Sequence, residues 1–236
     1  MNHMKRALLL LLLLAACKAQ PAPGAAAGAP ASPPLQPPAA TPAGPRQPLV
    51  IFLGDSLTAG LGLAEDQAFP ALLARRLGEL GSPIRLVNAG VSGDTSAGGL
   101  RRIDWLLRQK PDVVVVGLGA NDALRGADPT EIEHNLREIV VHARAGGARV
   151  LLLGMRIPPN YGGDYAGRFA AIYPRIAREM DVPLVPFLLE GVGGDPALNQ
   201  ADGIHPTAQG QERVAKVILP YLRDVLSDTA AARRAK

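Results

Sequence analysis

The chain has 236 residues, 47% of them hydrophobic but only 4% aromatic, and a formal net charge of +4. Every acidic residue lies from residue 48 onward, and the four basic residues before it (Lys5, Arg6, Lys18, Arg46) account for the whole excess, so the charge gives no argument for a nucleic-acid partner. The single cysteine, Cys17, excludes an intramolecular disulfide, and the length suits one domain with a sizeable core.

Residues 1–17 carry Lys5 and Arg6, then an apolar run ending in small residues at Cys17. This is the pattern of a secretory signal, and it is too short for a spanning helix, which needs ~20 apolar residues. Leu14-Ala15-Ala16-Cys17 resembles the lipobox of bacterial lipoproteins. That resemblance implies a lipidated Cys17 at the mature N-terminus and anchorage to a bacterial membrane, facing the periplasm or the exterior. A plain secretory signal with a chance cysteine is the alternative. Residues 18–47 are rich in Ala, Pro and Gly without an acidic residue, a composition that cannot bury a core and predicts a disordered or polyproline-like tether. At ~3.1 Å per residue it would reach at most ~90 Å.

From residue 48 apolar runs and amphipathic stretches alternate. Leu49 to Leu53 reads as a strand, and 67–80 as a helix with Phe69, Leu72, Leu73, Leu77 and Leu80 at helical spacing. Residues 84–88 form a second strand and 96–109 a second helix, stopped by Pro111. Asp112 to Gly117 is an unbroken β-branched run suited to a parallel strand buried on both faces. Asp128 and Pro129 open a helix that Gly146-Gly147 closes. A strand at 149–153, a helix at 165–180, a strand at 183–187 and a last helix at 206–226 complete the domain, leaving 227–236 as a flexible basic tail. This alternation predicts an α/β fold, a parallel sheet of five strands with helices on both faces. In such sheets the ligand site lies beyond the carboxyl ends of the strands.

Four polar segments fall at those ends: Gly54-Asp55-Ser56-Leu57, Val91-Ser92-Gly93-Asp94, Gly119-Ala120-Asn121-Asp122 and Asp202-Gly203-Ile204-His205. Alone, each has an ordinary explanation. Ser56 can cap a helix, Gly93 can serve a turn, Asn121 an Asx-turn, and His205 can begin a helix. Together they make a serine-hydrolase set. A serine hydroxyl needs a neighbouring base, which His205 supplies. Asp202, three residues earlier, can hold the imidazole in one tautomer. The backbone N–H groups of Ser56 and Gly93 and the amide of Asn121 are candidate oxyanion donors.

These blocks, with "GDSLTAG", "VSGDTSAGGL", "GLGANDALRG", "MRIPPNYG" and "DGIHPTAQGQ" at their spacings, resemble the GDSL or SGNH hydrolases over nearly all of 48–226. The resemblance implies a three-layer α/β/α, flavodoxin-like fold, with Ser56, Gly93, Asn121 and His205 as the four name-giving residues and Asp202 as the triad acid. It further implies a serine esterase of arylesterase, thioesterase or lysophospholipase type, with no cofactor and no metal. Partners would be a small ester or thioester and, through Cys17, a membrane; a monomer is expected. By the same resemblance the loop after the fourth strand borders the acyl group, so Leu124, Ile157 and Tyr161 are candidate acyl contacts.

Other chemistries find less support. Thr58 stands where the G-x-S-x-G elbow requires glycine. No H-E-x-x-H, Cys/His cluster or phosphate-binding glycine loop is present, and His134 and His142 fit surface positions of one helix. A carbohydrate acetylesterase, or a tethered binding lipoprotein on the same fold, remains as an alternative.

Overall fold

The computed structural model describes residues 46–234. The expected signal, Cys17 and nearly all of the tether lie outside them.

Five strands form one parallel sheet in the order β2-β1-β3-β4-β5. They are β1 (Leu49–Gly54), β2 (Arg85–Gly90), β3 (Val113–Gly117), β4 (Arg149–Leu153) and β5 (Leu184–Val185). The eight α-helices of the described residues are α1 (Ser56–Ala59), α2 (Phe69–Glu79), α3 (Ser96–Leu107), α4 (Ala120–Leu124), α5 (Pro129–Ala145), α6 (Gly163–Ala170), α7 (Ile172–Met180) and α8 (Ala208–Arg234). Every residue of β1 and β3 is buried, as expected for central parallel strands covered on both faces. β2 is an edge strand and only half-buried. α3 packs on α5 and α5 on α7, while α2 packs on α8; these are the two outer layers of the sandwich.

The chain leaves β1 for β2 and returns to place β3 on β1's other side. That reversal opens a crevice at the carboxyl ends of β1 and β3, where ligands of such sheets bind. Gly54 and Gly117 pair across it.

Several boundaries differ from the sequence-based expectation. The helix expected over 165–180 is two helices, α6 and α7, meeting at Ala171. Pro174 has no N–H to bond the carbonyl of Ala170, which removes one helical bond where α6 gives way to α7. The last strand shrinks to Leu184–Val185 because Pro183 and Pro186 flank it and cannot donate to a ladder. The last helix starts at Ala208, and Pro206 instead forms an antiparallel bridge with Asn199. The expected tail from 227 is largely a continuation of α8 to Arg234. Asp228 pairs with Arg149 at 2.7 Å, and the buried Thr229 hydroxyl donates to the Val225 carbonyl at 2.8 Å, which holds the added turns in place. Among the described residues no helix is long and apolar enough to cross a membrane.

Candidate active site

All four polar segments meet at the carboxyl edge of the sheet. Ser56 is the first residue of α1, directly after β1. Asp55 caps that helix, its Oδ1 accepting the Leu57 N–H at 3.0 Å. The first N–H groups of a helix have no carbonyl partner within it, so the Ser56 N–H at the start of α1 makes no intrahelical bond. Two polar side chains, the half-buried Asn88 and the buried Gln211, fix α1 from two sides. The Asn88 amide donates to the Thr58 carbonyl at 3.0 Å. The Gln211 amide donates to the Leu57 carbonyl at 3.2 Å, while its oxygen accepts the Phe69 N–H at 2.9 Å.

The His205 ring closes a continuous path. Its Nε2 lies 2.8 Å from Ser56 Oγ, and its Nδ1 lies 2.7 Å from Asp202 Oδ2. The Asp202 carboxylate can only accept, so the bond places the imidazole proton on Nδ1 and leaves Nε2 to accept from the hydroxyl. Asp202 Oδ1 accepts the backbone N–H groups of Ile204 and His205 at 2.9 and 3.0 Å. Those bonds make the Asp-x-x-His segment a single rigid turn. The His205 N–H, then the imidazole, then the Ile204 N–H lower the Asp202 pKa to about 2. Gln200 holds the rear of the loop: its amide donates to the carbonyls of Leu61 and Pro206 at 2.7 and 3.0 Å.

Gly93 occupies a turn after β2 with φ 79°, and Gly119 precedes Asn121 with φ 110°. A side chain is strained in either conformation, and a Cβ on Gly119 would also meet the buried Tyr173 hydroxyl at 2.5 Å. The Asn121 Nδ2 donates to the Asp94 carbonyl at 2.9 Å and to Asp55 Oδ2 at 3.3 Å, so both of its amide hydrogens have partners in the resting site. The Arg125 guanidinium donates to the Gly93 carbonyl at 3.0 Å. Behind Asn121, the buried Asp122 accepts the Ser96 N–H and hydroxyl at 2.8 and 2.6 Å, tying α4 to the start of α3.

Of the expected acyl contacts, Leu124 ends α4 one turn beyond Asn121, Ile157 is half-buried against the core in the loop after β4, and Tyr161 is exposed in the Pro159–Tyr161 turn. Leu61, Val91 and Ile204 are exposed apolar residues on the same edge that the sequence did not single out. His134 and His142 stay outside the site, and the His142 Nδ1 pairs with Asp104 at 2.8 Å on the surface. No group of three metal-ligating side chains occurs among the described residues.

Asp55 is only 2% exposed, and burial raises its pKa to about 6 from 3.8, against the opposing pull of the Leu57 N–H and of His205. The native protein therefore holds this proton more tightly than the unfolded chain. The resulting stability is full below pH 3.8 and is lost as pH rises through about 6. At one pKa unit per 1.36 kcal/mol, Asp55→Asn should gain about 2–3 kcal/mol relative to the parent between pH 4 and pH 8. Urea unfolding of both proteins at the two pH values measures this. An unchanged or opposite difference would rule out a buried, reluctant carboxylate.

A family model described as the GDSL-like lipase/acylhydrolase family matches residues 52–213. The chain is 48% identical over 178 residues to esterase TesA of Pseudomonas aeruginosa, spanning 75% of this chain and 89% of that protein. It is 43% identical over 179 residues to the thioesterase 1/protease 1/lysophospholipase L1 of Escherichia coli, spanning 75% and 85%. Among solved structures it resembles a crystal structure of TesA (TM-score 0.73, 47% identity, 75% of this chain and 99% of the other). It also resembles the psychrotrophic esterase EstA from Pseudoalteromonas sp. inhibited by monoethylphosphonate (TM-score 0.73, 34% identity, 77% and 100%).

Proposed function

The chain belongs to the GDSL-like lipase/acylhydrolase family and is a serine hydrolase of carboxylic esters, and from that premise we propose how its residues divide the chemistry. Ser56 Oγ attacks the acyl carbon and gives its proton to His205 Nε2. Asp202 holds the imidazole and stabilises the imidazolium that forms. The Ser56 N–H, the Gly93 N–H and the Asn121 amide bind the oxyanion of the tetrahedral intermediate. Collapse expels the alcohol or thiol, which takes the proton from His205. His205 then deprotonates a water that attacks the acyl-enzyme, and the acid leaves with Ser56 restored.

The observation that carries this reading is the unbroken path from Asp202 through His205 to Ser56, with contacts of 2.7 and 2.8 Å. The Asn121 contacts suit the oxyanion role. The 3.3 Å bond to Asp55 is the longer of its two, so it yields first when a charged oxygen arrives. A developing oxyanion is a stronger acceptor than the neutral carbonyl of bound substrate, so the exchange favours the transition state.

The substrate is a small ester or thioester, as the esterase and thioesterase relatives imply. Leu124, Ile157 and Tyr161 line the acyl side of the site in this reading, and Leu61, Val91 and Ile204 form an apolar rim. Such surroundings suit an aryl or alkyl ester better than an acetylated sugar. A panel of p-nitrophenyl esters of rising chain length, acyl-CoA thioesters and an acetylated xylo-oligosaccharide tests this. We expect turnover of the p-nitrophenyl esters to exceed deacetylation of the oligosaccharide. Turnover of the oligosaccharide alone would reverse the assignment.

A further inference from the structure

We propose that Arg102 is a positioning residue for the oxyanion hole, acting through Asp94 on Asn121 and Gly93; this rests on the donor assignment made above. Arg102 belongs to α3 and touches none of the reacting groups, yet its guanidinium reaches three parts of the site's frame. Nε donates to Asp94 Oδ2 at 2.8 Å, one terminal nitrogen to the Ala89 carbonyl at 2.6 Å, and the other to the Gly54 carbonyl at 2.9 Å.

Each of these acceptors leads to a proposed oxyanion donor. Gly54 ends β1 two residues before Ser56, and Ala89 lies in β2 just before the Gly93 turn. Asp94 follows Gly93, and its own carbonyl takes the 2.9 Å bond from Asn121. Asp94 is braced further by the Thr95 N–H, which donates to its Oδ1 at 3.0 Å, and by its own N–H, which donates to the Val91 carbonyl at 3.0 Å. One planar cation thus ties together the chain segments that carry Ser56 and Gly93, and it reaches the third donor, Asn121, through Asp94. The Arg102 and Asp94 side chains are only 22% and 12% exposed, so water competes little for these bonds.

The geometry needs arginine. Its rigid fork presents donors in three fixed in-plane directions, whereas a lysine ammonium is a single point on a flexible stem. Oxyanion donors act by being held in place before the charge develops, and a displacement of about 1 Å can cost ~100-fold in rate. An arginine that merely satisfied strand-end carbonyls would alter stability without any coupling to Asn121.

A double-mutant cycle separates these roles. The purified protein carries Arg102→Met, Asn121→Ala or both, and kcat on p-nitrophenyl butyrate is normalised to active sites titrated with a fluorophosphonate, which removes unfolded protein from the measurement. We expect Arg102→Met to lower kcat ~10–100-fold with KM changed less than about threefold, and to cost at least about threefold less in the Asn121→Ala background. Arg102→Lys should not restore the rate. Equal costs in the two backgrounds, or full rescue by lysine, would overturn the proposal. A negligible effect of Asn121→Ala alone would instead remove the oxyanion assignment on which it rests. Should Arg102→Met fail to fold, Asp94→Asn keeps the shape of the turn while weakening the ion pair, and the same coupling to Asn121 is expected.

Discussion

Replacing Ser56 by alanine should lower kcat for p-nitrophenyl ester hydrolysis by at least about 10⁴-fold and leave the fold intact. Removing the nucleophile of a comparable triad in another hydrolase costs on the order of 10⁶-fold, and the residual rate comes from the oxyanion hole and substrate binding. The fold should survive because the Ser56 hydroxyl contacts only His205 among the side-chain bonds of the site. Alanine fits the first turn of a helix and has the higher helix propensity. Asp55 still caps α1, and Asn88 and Gln211 still hold its carbonyls. Thermal unfolding of the variant should match the parent to within about 0.5 kcal/mol. Retained turnover would refute Ser56 as nucleophile, whereas a large loss of stability would make any loss of turnover uninformative.

The second large effect is expected at Asn121. Asn121→Ala should lower kcat ~10²–10³-fold while KM moves little, because the amide meets its strongest acceptor only in the tetrahedral state. Unlike the serine variant, it should also cost stability. Two bonds are lost, one of them to the buried Asp55 carboxylate, which would be left with fewer donors; about 1–3 kcal/mol is the usual cost of such a loss. Asn121→Asp should be worse in rate than alanine. It sets a second acceptor against Asp55 and Asp94 and points negative charge at the place where the oxyanion forms. Steady-state kinetics beside urea unfolding measures both effects, and an aspartate variant faster than the alanine variant would argue against an oxyanion role.

Much of the fold was legible because its signals are local. The apolar runs that became β1 and β3 are fully buried and could hardly be anything else, and Asp128-Pro129 capped α5 as its residue types suggested. What local pattern could not reveal was where tertiary contacts override it. Leu226 was a reasonable end for the last helix, but Arg149, far away on β4, supplies a partner for Asp228 and extends it. Pro183 and Pro186 trimmed β5, although the apolar character of 183–187 suited a longer strand. The short helices α1 and α4, each built at a strand end around a site residue, carry too few residues to show any periodicity.

The candidate site divides in the same way. Ser56, Gly93, Asn121, Asp202 and His205 stand in recognisable short motifs at predicted strand ends, and the fold brings them to one edge. Their support was hidden. Arg101 and Arg102 are adjacent and identical in type, yet Arg101 is exposed while Arg102 grips three strand-end and turn acceptors. Gln211 and Asp122 likewise read as ordinary helix polar residues but are buried, each satisfied by backbone groups of the site. Only the phase of each helix against the sheet distinguishes them, and that phase is a three-dimensional quantity. Asp55 could be suspected as a cap from its place before Ser56, but its second contact, to Asn121, requires β1 and β3 to be neighbours.

The most direct test is covalent. The purified protein is treated with a fluorophosphonate and the adduct is mapped by peptide mass spectrometry. The proposed chemistry predicts one phosphonyl group per chain, on Ser56, with loss of esterase turnover in proportion to labelling and greatly slowed labelling in His205→Ala, since the imidazole must take the hydroxyl proton. An unmodified Ser56 in a fully inhibited protein, or turnover that persists when Ser56 is fully modified, would contradict it.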